Sequence, residues 1–313
     1  MAARPTPVLL VHGLRTSRTM WRAQLESLER AGRPAVAIDL PGHGERIAET
    51  FIWDGAIAAV RDAVDALGGR AVVVGLSLGG YVAIAHAARH PEQVVGLVAA
   101  ACSTRPRPVV VRAWGALADG FFARLPDRGA AVNQALVDRV LPPQGALDVA
   151  AGGFAYDVVG QAMRAVRAAD PIADLARVEV PVWLVNGRYD HFRGDERRFL
   201  AACRDGHLVV VPGATHLVSL VRPVRFTRVL LEALADLDDR GPGGGADRSD
   251  VPRREGPGAH PADDPGLVGH HDHVVAEPLE GGRGDAARVA APEVEPVPVE
   301  DGTEPLHDLA HPT

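Results

Sequence analysis

The sequence predicts an α/β fold, a mostly parallel sheet covered by helices on both faces and carrying a helical insertion, and three observations lead there. Short apolar runs alternate with helix-length amphipathic stretches, the rhythm of β-α-β units rather than of hairpins. Loops rich in glycine and polar residues follow the apolar runs, where ligands bind in open α/β sheets. Between the third run and the helix-like stretch from Gly80 to His90 stands Gly75-Leu76-Ser77-Leu78-Gly79, a Gly-x-Ser-x-Gly in a strand, sharp turn, helix context.

The strands are expected at Pro7 to Val11, Ala35 to Asp39, Ala71 to Val74, Val94 to Ala100, Val182 to Asn186 and Leu208 to Val211. At their C-terminal ends stand His12-Gly13-Leu14, Asp39-Leu40-Pro41-Gly42-His43-Gly44, Ser77, Gly187-Arg188-Tyr189-Asp190 and Gly213-Ala214-Thr215-His216. Between the fourth and fifth strands, residues 103–177 exceed the length of a crossover and read as a helical cap over the sheet ends. This insertion carries Trp114, Phe121, Phe122, Phe154 and Tyr156 and is punctuated by Pro142-Pro143 and Gly152-Gly153. A last helix is expected from Pro223 to Leu237, with Arg222, Arg225 and Arg228 at exposed positions. No internal repeat is evident.

The expected domain organisation is a folded unit over 1–240 and a tail over 241–313. From Gly241 onward there is no Phe, Trp or Tyr, and 15 acidic residues face 5 arginines among recurrent Pro and Gly. Such a segment buries too little apolar surface to offset its ordering entropy and is expected to be disordered. The remainder holds 28 basic against 25 acidic residues, so the net charge of −7 belongs to the tail. A nearly neutral folded part makes no case for nucleic-acid binding. Every basic residue is arginine, which reads as coding bias in a GC-rich genome.

Two distant cysteines, Cys102 and Cys203, argue for buried reduced thiols rather than a disulfide framework. The first apolar run, Val8 to Val11, is too short for a signal-peptide core, and no run reaches the roughly 20 residues of a membrane span. The expectation is a cytoplasmic protein with a small-molecule partner, no membrane or nucleic-acid partner, no cofactor and no metal ion. Oligomeric state is left open. His270-His271-Asp272-His273 has metal-binding residue types, but its place in the tail makes any such affinity incidental.

A serine hydroxyl becomes a useful nucleophile when a base takes its proton and an acid holds that base in the right tautomer. Ser77, Asp190 and His216 are the candidates, in that chain order. Order and context resemble the α/β-hydrolase superfamily over roughly Pro5 to Leu237, in its capped serine hydrolase branch. The resemblance extends to His12-Gly13 after the first strand and to the Asp-x-Pro-Gly-x-Gly turn beginning at Asp39. The 26-residue spacing of Asp190 and His216 suits the last strand and loop of that fold.

This resemblance implies catalytic residues Ser77, Asp190 and His216 and an oxyanion hole formed by the backbone N–H groups of Leu14 and Leu78. It implies hydrolysis of a carboxylic ester of a small to medium, largely apolar substrate through an acyl-enzyme on Ser77. Serine at the elbow argues against the dehalogenase and epoxide hydrolase branches, which carry aspartate there. Two alternatives stay open: a C–C bond hydrolase or cofactor-free perhydrolase with the same triad, and a non-catalytic ligand-binding protein. Asp195 competes with Asp190 for the acid role but is expected to open the next helix as its cap. His12 and His43 are expected to hold the oxyanion loop and the neighbouring turn. His191 reads as a pocket-edge or exposed residue.

Two departures from the family pattern are visible. The two leading antiparallel strands common in the family are expected to be missing. Arg15 stands where many relatives have glycine or a small residue; it is expected to be a solvated loop arginine, the alternative being a guanidinium at the pocket mouth favouring an anionic substrate end.

Overall fold

A computed structural model describes residues 5–106, 120, 135, 137 and 139–241. The expected tail from residue 242, with its histidine cluster, and Trp114, Phe121 and Phe122 lie outside the described residues. In chain order the elements are β1 (Val8–Val11), α1 (Arg22–Arg30), β2 (Ala35–Ile38), α2 (Trp53–Ala66), β3 (Ala71–Leu76), α3 (Leu78–Arg89) and β4 (Val94–Ala100). After the insertion's helices α4 (Pro143–Ala151), α5 (Val158–Val166) and α6 (Pro171–Leu175) come β5 (Val182–Gly187), α7 (Glu196–Ala202), β6 (Gly206–Val211), α8 (Val218–Val221) and α9 (Pro223–Arg240). The last helix thus runs three residues past the expected Leu237.

The six strands form one sheet in the order β2-β1-β3-β4-β5-β6, and every described pairing is parallel. Side chains alternate across it. Leu9, Val11, Val73, Leu97, Ala99 and Leu184 enter one core with α2, α3 and α7. Val8, Leu10, Val72, Val74, Val98 and Val185 enter the other with α9. Both faces are dry, which explains why the central strands read as continuous apolar runs. Each fully buried Val or Leu side chain contributes about 1.5–3 kcal/mol relative to exposure.

Helical spacing accounts for the covering layers. In α2 the buried residues Trp53, Ala56, Ile57, Val60 and Val64 form one stripe, and in α9 Phe226, Leu230, Ala233 and Leu234 do the same. From Leu78 to Ala87, α3 is buried throughout, because α2 and α6 flank it as well as the sheet. At the other extreme, β2 is an edge strand with Val36 exposed.

The topology fixes where a site can form. From β2 the chain crosses β1 to reach β3, so the sheet's switch point lies between β1 and β3. Their register pairs Val11 with Gly75, which brings His12-Gly13-Leu14 level with Ser77. The insertion reaches the same end of the sheet: Ala155 donates its N–H to the Arg15 carbonyl at 3.2 Å, and the Gln161 side chain accepts from Phe51 N at 2.8 Å.

Candidate active site

Ser77 sits between β3 and α3 with φ 54° and ψ −115°, a backbone conformation that costs a non-glycine residue on the order of 1–3 kcal/mol. Its N–H donates to Ala100 O at 2.8 Å and its carbonyl accepts from Tyr81 N at 3.1 Å, so both neighbouring elements hold the turn. The flanking glycines are required by close approach. A Cβ on Gly75 would run into the backbone of Gly79, and one on Gly79 into the carbonyl oxygens of Val11 and His12. Serine at a helix N-cap normally bonds to its own helix. Here the side chain makes no capping bond and is directed elsewhere.

Ser77 Oγ lies 2.9 Å from His216 Nε2, and His216 Nδ1 lies 3.0 Å from Asp190 Oδ1. The imidazole Nδ1–H faces an acceptor-only carboxylate, which leaves Nε2 free to accept from the serine hydroxyl. Asp190 is buried, and burial raises a carboxyl pKa. The hydrogen bond and charge of His216 and the Phe192 N–H, which donates to Oδ1 at 2.8 Å, outweigh that effect and hold it below its ordinary value. Asp190 is therefore a carboxylate at neutral pH.

The remaining two sequence candidates are backbone groups. Leu78 is the first residue of α3, so its N–H has no carbonyl a turn earlier to bond and lies at the positive end of the helix. Leu14 lies in the β1 turn, and among the described residues its N–H makes no hydrogen bond. A Cβ placed on neighbouring Gly13 would lie 3.5 Å from Ser77 Cβ, so that turn packs directly on the nucleophile candidate.

His12 and His43 are placed as expected. His12 Nδ1–H donates to Gly13 O at 2.7 Å and Nε2 accepts from Leu40 N at 3.0 Å, joining the β1 and β2 loops. Full burial, reinforced by the charge of His43, lowers its pKa to about 3, which fixes the neutral tautomer that this bonding needs. The His43 ring lies 4.8 Å from that of His12 and donates to Pro41 O at 3.0 Å. Asp39 adds a second tie: it accepts from Arg18 N at 2.7 Å and Glu45 N at 3.0 Å and pairs with the Arg18 guanidinium.

Strand order, switch point and strand-turn-helix serine all agree with one further observation: residues 8–229 match the model of the alpha/beta hydrolase family. The chain belongs to that family. A pimeloyl-[acyl-carrier protein] methyl ester esterase of Neisseria meningitidis serogroup C is 31% identical over 201 residues, 58% of this chain and 75% of the relative. Among solved structures, a thermophilic esterase from Thermogutta terrifontis superposes with a TM-score of 0.63 at 23% identity, covering 75% of this chain and 91% of that one. The enol-lactonase from Burkholderia xenovorans gives 0.62 at 22%, covering 74% and 92%. At these identities the two structures bear on the fold.

Three expectations about this alpha/beta hydrolase need correction. Arg15 is not a solvated loop arginine. It is half-buried with φ 70°, and its guanidinium lies 5.2 Å from the centre of the Tyr156 ring. Asp195 stands at the N-cap of α7 but makes no side-chain capping bond. Its buried carboxylate instead accepts from Arg105 N at 3.0 Å, anchoring the chain where it enters the insertion, so it has a structural occupation of its own. Cys102 is buried as expected while Cys203 is only half-buried; both are free thiols. Burial and the Asp190 charge push the Cys102 pKa up, which keeps that thiol protonated and inert.

Sequence reasoning missed Phe192. Its ring lies 4.7 Å from that of His216, and the His191 ring 5.2 Å, so the residues following the acid flank the imidazole. His191 is exposed, as expected, yet its tilted ring also lies against that of His216. An aromatic pair directly after a candidate acid was the available signal. Among the described residues, no group of three or more His, Cys, Asp or Glu side chains could hold a metal ion, and no helix is long and apolar enough to cross a membrane.

Proposed function

We propose that this protein hydrolyses carboxylic esters through an acyl-enzyme on Ser77. The observation that carries the reading is the continuous chain from Ser77 Oγ through His216 to Asp190, at 2.9 and 3.0 Å. Ester hydrolysis as the reaction class is supported by the methyl ester esterase relative, and the fold by the solved esterase and lactonase.

In this reading His216 Nε2 takes the Ser77 proton as Oγ attacks the ester carbonyl. Asp190 stabilises the resulting imidazolium. The developing oxyanion is received by the N–H groups of Leu14 and Leu78, donors whose individual loss costs hydrolases about 10²- to 10³-fold in kcat. His216 then passes its proton to the leaving alcohol as the C–O bond breaks. Water, deprotonated by the same imidazole, attacks the acyl-Ser77 carbonyl, and His216 returns that proton to Ser77 Oγ as the acyl–Oγ bond breaks, releasing the acid and the free serine. The acyl or alcohol part is small to medium and largely apolar, the expectation drawn from the Ala, Val, Leu and Phe content of the insertion.

The test is hydrolysis of p-nitrophenyl esters of increasing acyl length by wild type and Ser77→Ala. Wild-type turnover, falling at least about 10³-fold in the variant, is the expected result, and the length optimum sizes the pocket. Activity that survives in Ser77→Ala overturns the serine mechanism. Wild type that is inert on every ester but cleaves a ring-fission diketone, or binds without turnover, shifts the assignment to the alternatives named above.

A further inference from the structure

We infer that Phe192 is a positioning residue for the reaction, a ring that holds the His216 imidazole in line between Ser77 and Asp190 and favours the imidazolium it becomes. The inference rests on the serine-hydrolase reading and deepens it by giving a role to a side chain outside the chain of Ser77, His216 and Asp190.

Phe192 touches both the acid and the base. Its N–H donates to Asp190 Oδ1 at 2.8 Å, the same oxygen that lies 3.0 Å from His216 Nδ1. Its ring centre lies 4.7 Å from that of His216 with the planes 34° apart, so the two rings overlap more by face than by edge. The backbone of one residue fixes the carboxylate while its side chain covers the imidazole.

Core packing does not account for this placement. Phe192 is half-buried, and it belongs to neither of the two hydrophobic cores. The rings it meets are imidazoles, His216 and, at 4.5 Å, His191. A phenylalanine kept off the core forgoes part of its burial free energy. The turn that presents it is anchored on its own: Arg193 pairs with Glu196 and donates to Arg188 O at 2.9 Å, and Gly194 N donates to Thr104 Oγ1 at 3.0 Å. The ring is therefore a fixed wall, and His216 is the group it confines.

His216 has need of such a wall. It stands in the loop between β6 and α8 with 22% of its side chain exposed. Hydrogen bonds at its two nitrogens leave the ring able to tilt about the line that joins them, and a contact on its face removes that freedom. Once Ser77 Oγ is acylated the bond at Nε2 is gone, and the wall keeps Nε2 aimed at the incoming water. An aromatic face also attracts the positive charge that His216 carries after taking the serine proton.

The experiment measures kcat and KM for the best p-nitrophenyl ester, and the rate of inactivation by a small alkyl fluorophosphonate that reports on Ser77 directly, for wild type, Phe192→Ala, Phe192→Leu and Phe192→Tyr. Phe192→Ala keeps the N–H to Asp190 and is expected to lower kcat about 10- to 100-fold, the cost of misplacing a reacting group by up to ~1 Å. KM should stay within about threefold, and inactivation should slow in step with kcat. Phe192→Leu fills much of the volume without a flat face and should recover little, whereas Phe192→Tyr should restore most of the rate. These two variants decide the matter if Phe192→Ala fails to fold. Leu equal to Tyr, kcat retained in Phe192→Ala, or a raised KM with kcat and inactivation unchanged overturns the assignment and leaves the hydrolase reading standing. Wild type that neither cleaves the esters nor reacts with the fluorophosphonate overturns both.

Discussion

Ser77 occupies the N-cap of α3 without capping it, and that exchange is the centre of the candidate site. Its Oγ is given to His216 instead of a helix amide, the Leu78 N–H stays available for a ligand, and the backbone carries left-handed strain at φ 54°. Strain of this kind persists only where surrounding contacts over-determine it. Here they are the bonds to Ala100 and Tyr81 and two glycines packed against backbone. Asp190 works by the opposite economy, buried yet kept ionised by donors on the same oxygen. Asp190→Asn preserves the shape but presents an amide to the imidazole, which favours the wrong tautomer. By analogy with other serine triads, kcat for the best ester is expected to fall about 10²- to 10⁴-fold, with the urea midpoint moving little. Near-normal turnover would remove Asp190 from the acid role.

Among the elements, the loops do more than the helices they open. Asp195 illustrates this: placed to cap α7, it reaches across to Arg105 N and pairs with Arg198, while its own N–H donates to Ser103 O at 2.9 Å. These ties join the end of β4 to the start of α7, and Tyr81 OH adds a bond to Thr104 O at 2.5 Å from α3. Asp195→Ala removes a part-buried hydrogen bond to the Arg105 amide and the pairing with Arg198 and should lower stability by about 0.5–1.5 kcal/mol, read from chemical denaturation, while ester turnover at 25 °C stays within about tenfold of wild type. If turnover collapsed as in Asp190→Asn with stability intact, Asp195 would be the better candidate for the acid.

Legibility divides along the same line. The strands were readable because sheet faces buried on both sides make unbroken Val, Leu and Ala runs, and Ser77, Asp190 and His216 because each ends such a run or its following turn. Phe192 was not, since its place beside His216 depends on where the chain folds back over the sheet, which no local pattern encodes. Asp195 shows the limit of capping rules: position was right, but a distant amide won the side chain.

At the scale of the molecule, buried histidines set how the fold responds to acid. His12 and His86 are fully buried, and desolvation lowers both pKa values to about 3, helped at His12 by the charge of His43 and at His86 by those of His90 and Arg61. His43 is shifted the same way by burial. In the unfolded chain each titrates near an ordinary value of about 6.5. Between these limits the unfolded state binds more protons than the native one, so stability rises with pH there and is lost as pH falls below about 6.5. Lowered carboxyl values, such as that of Asp190, act only nearer their own range and leave the interval from pH 7 to 5 to the histidines. Each strongly shifted ring then removes about 2 kcal/mol over that interval. The two differ in what they provide in return. His12 joins two loops through both nitrogens, whereas neither nitrogen of His86 has a partner among the described residues. His86→Leu should therefore keep the fold at pH 7 and remove roughly 2 kcal/mol of the acid-induced loss, flattening the dependence of the urea midpoint on pH. A variant as acid-sensitive as wild type would place the response in other groups.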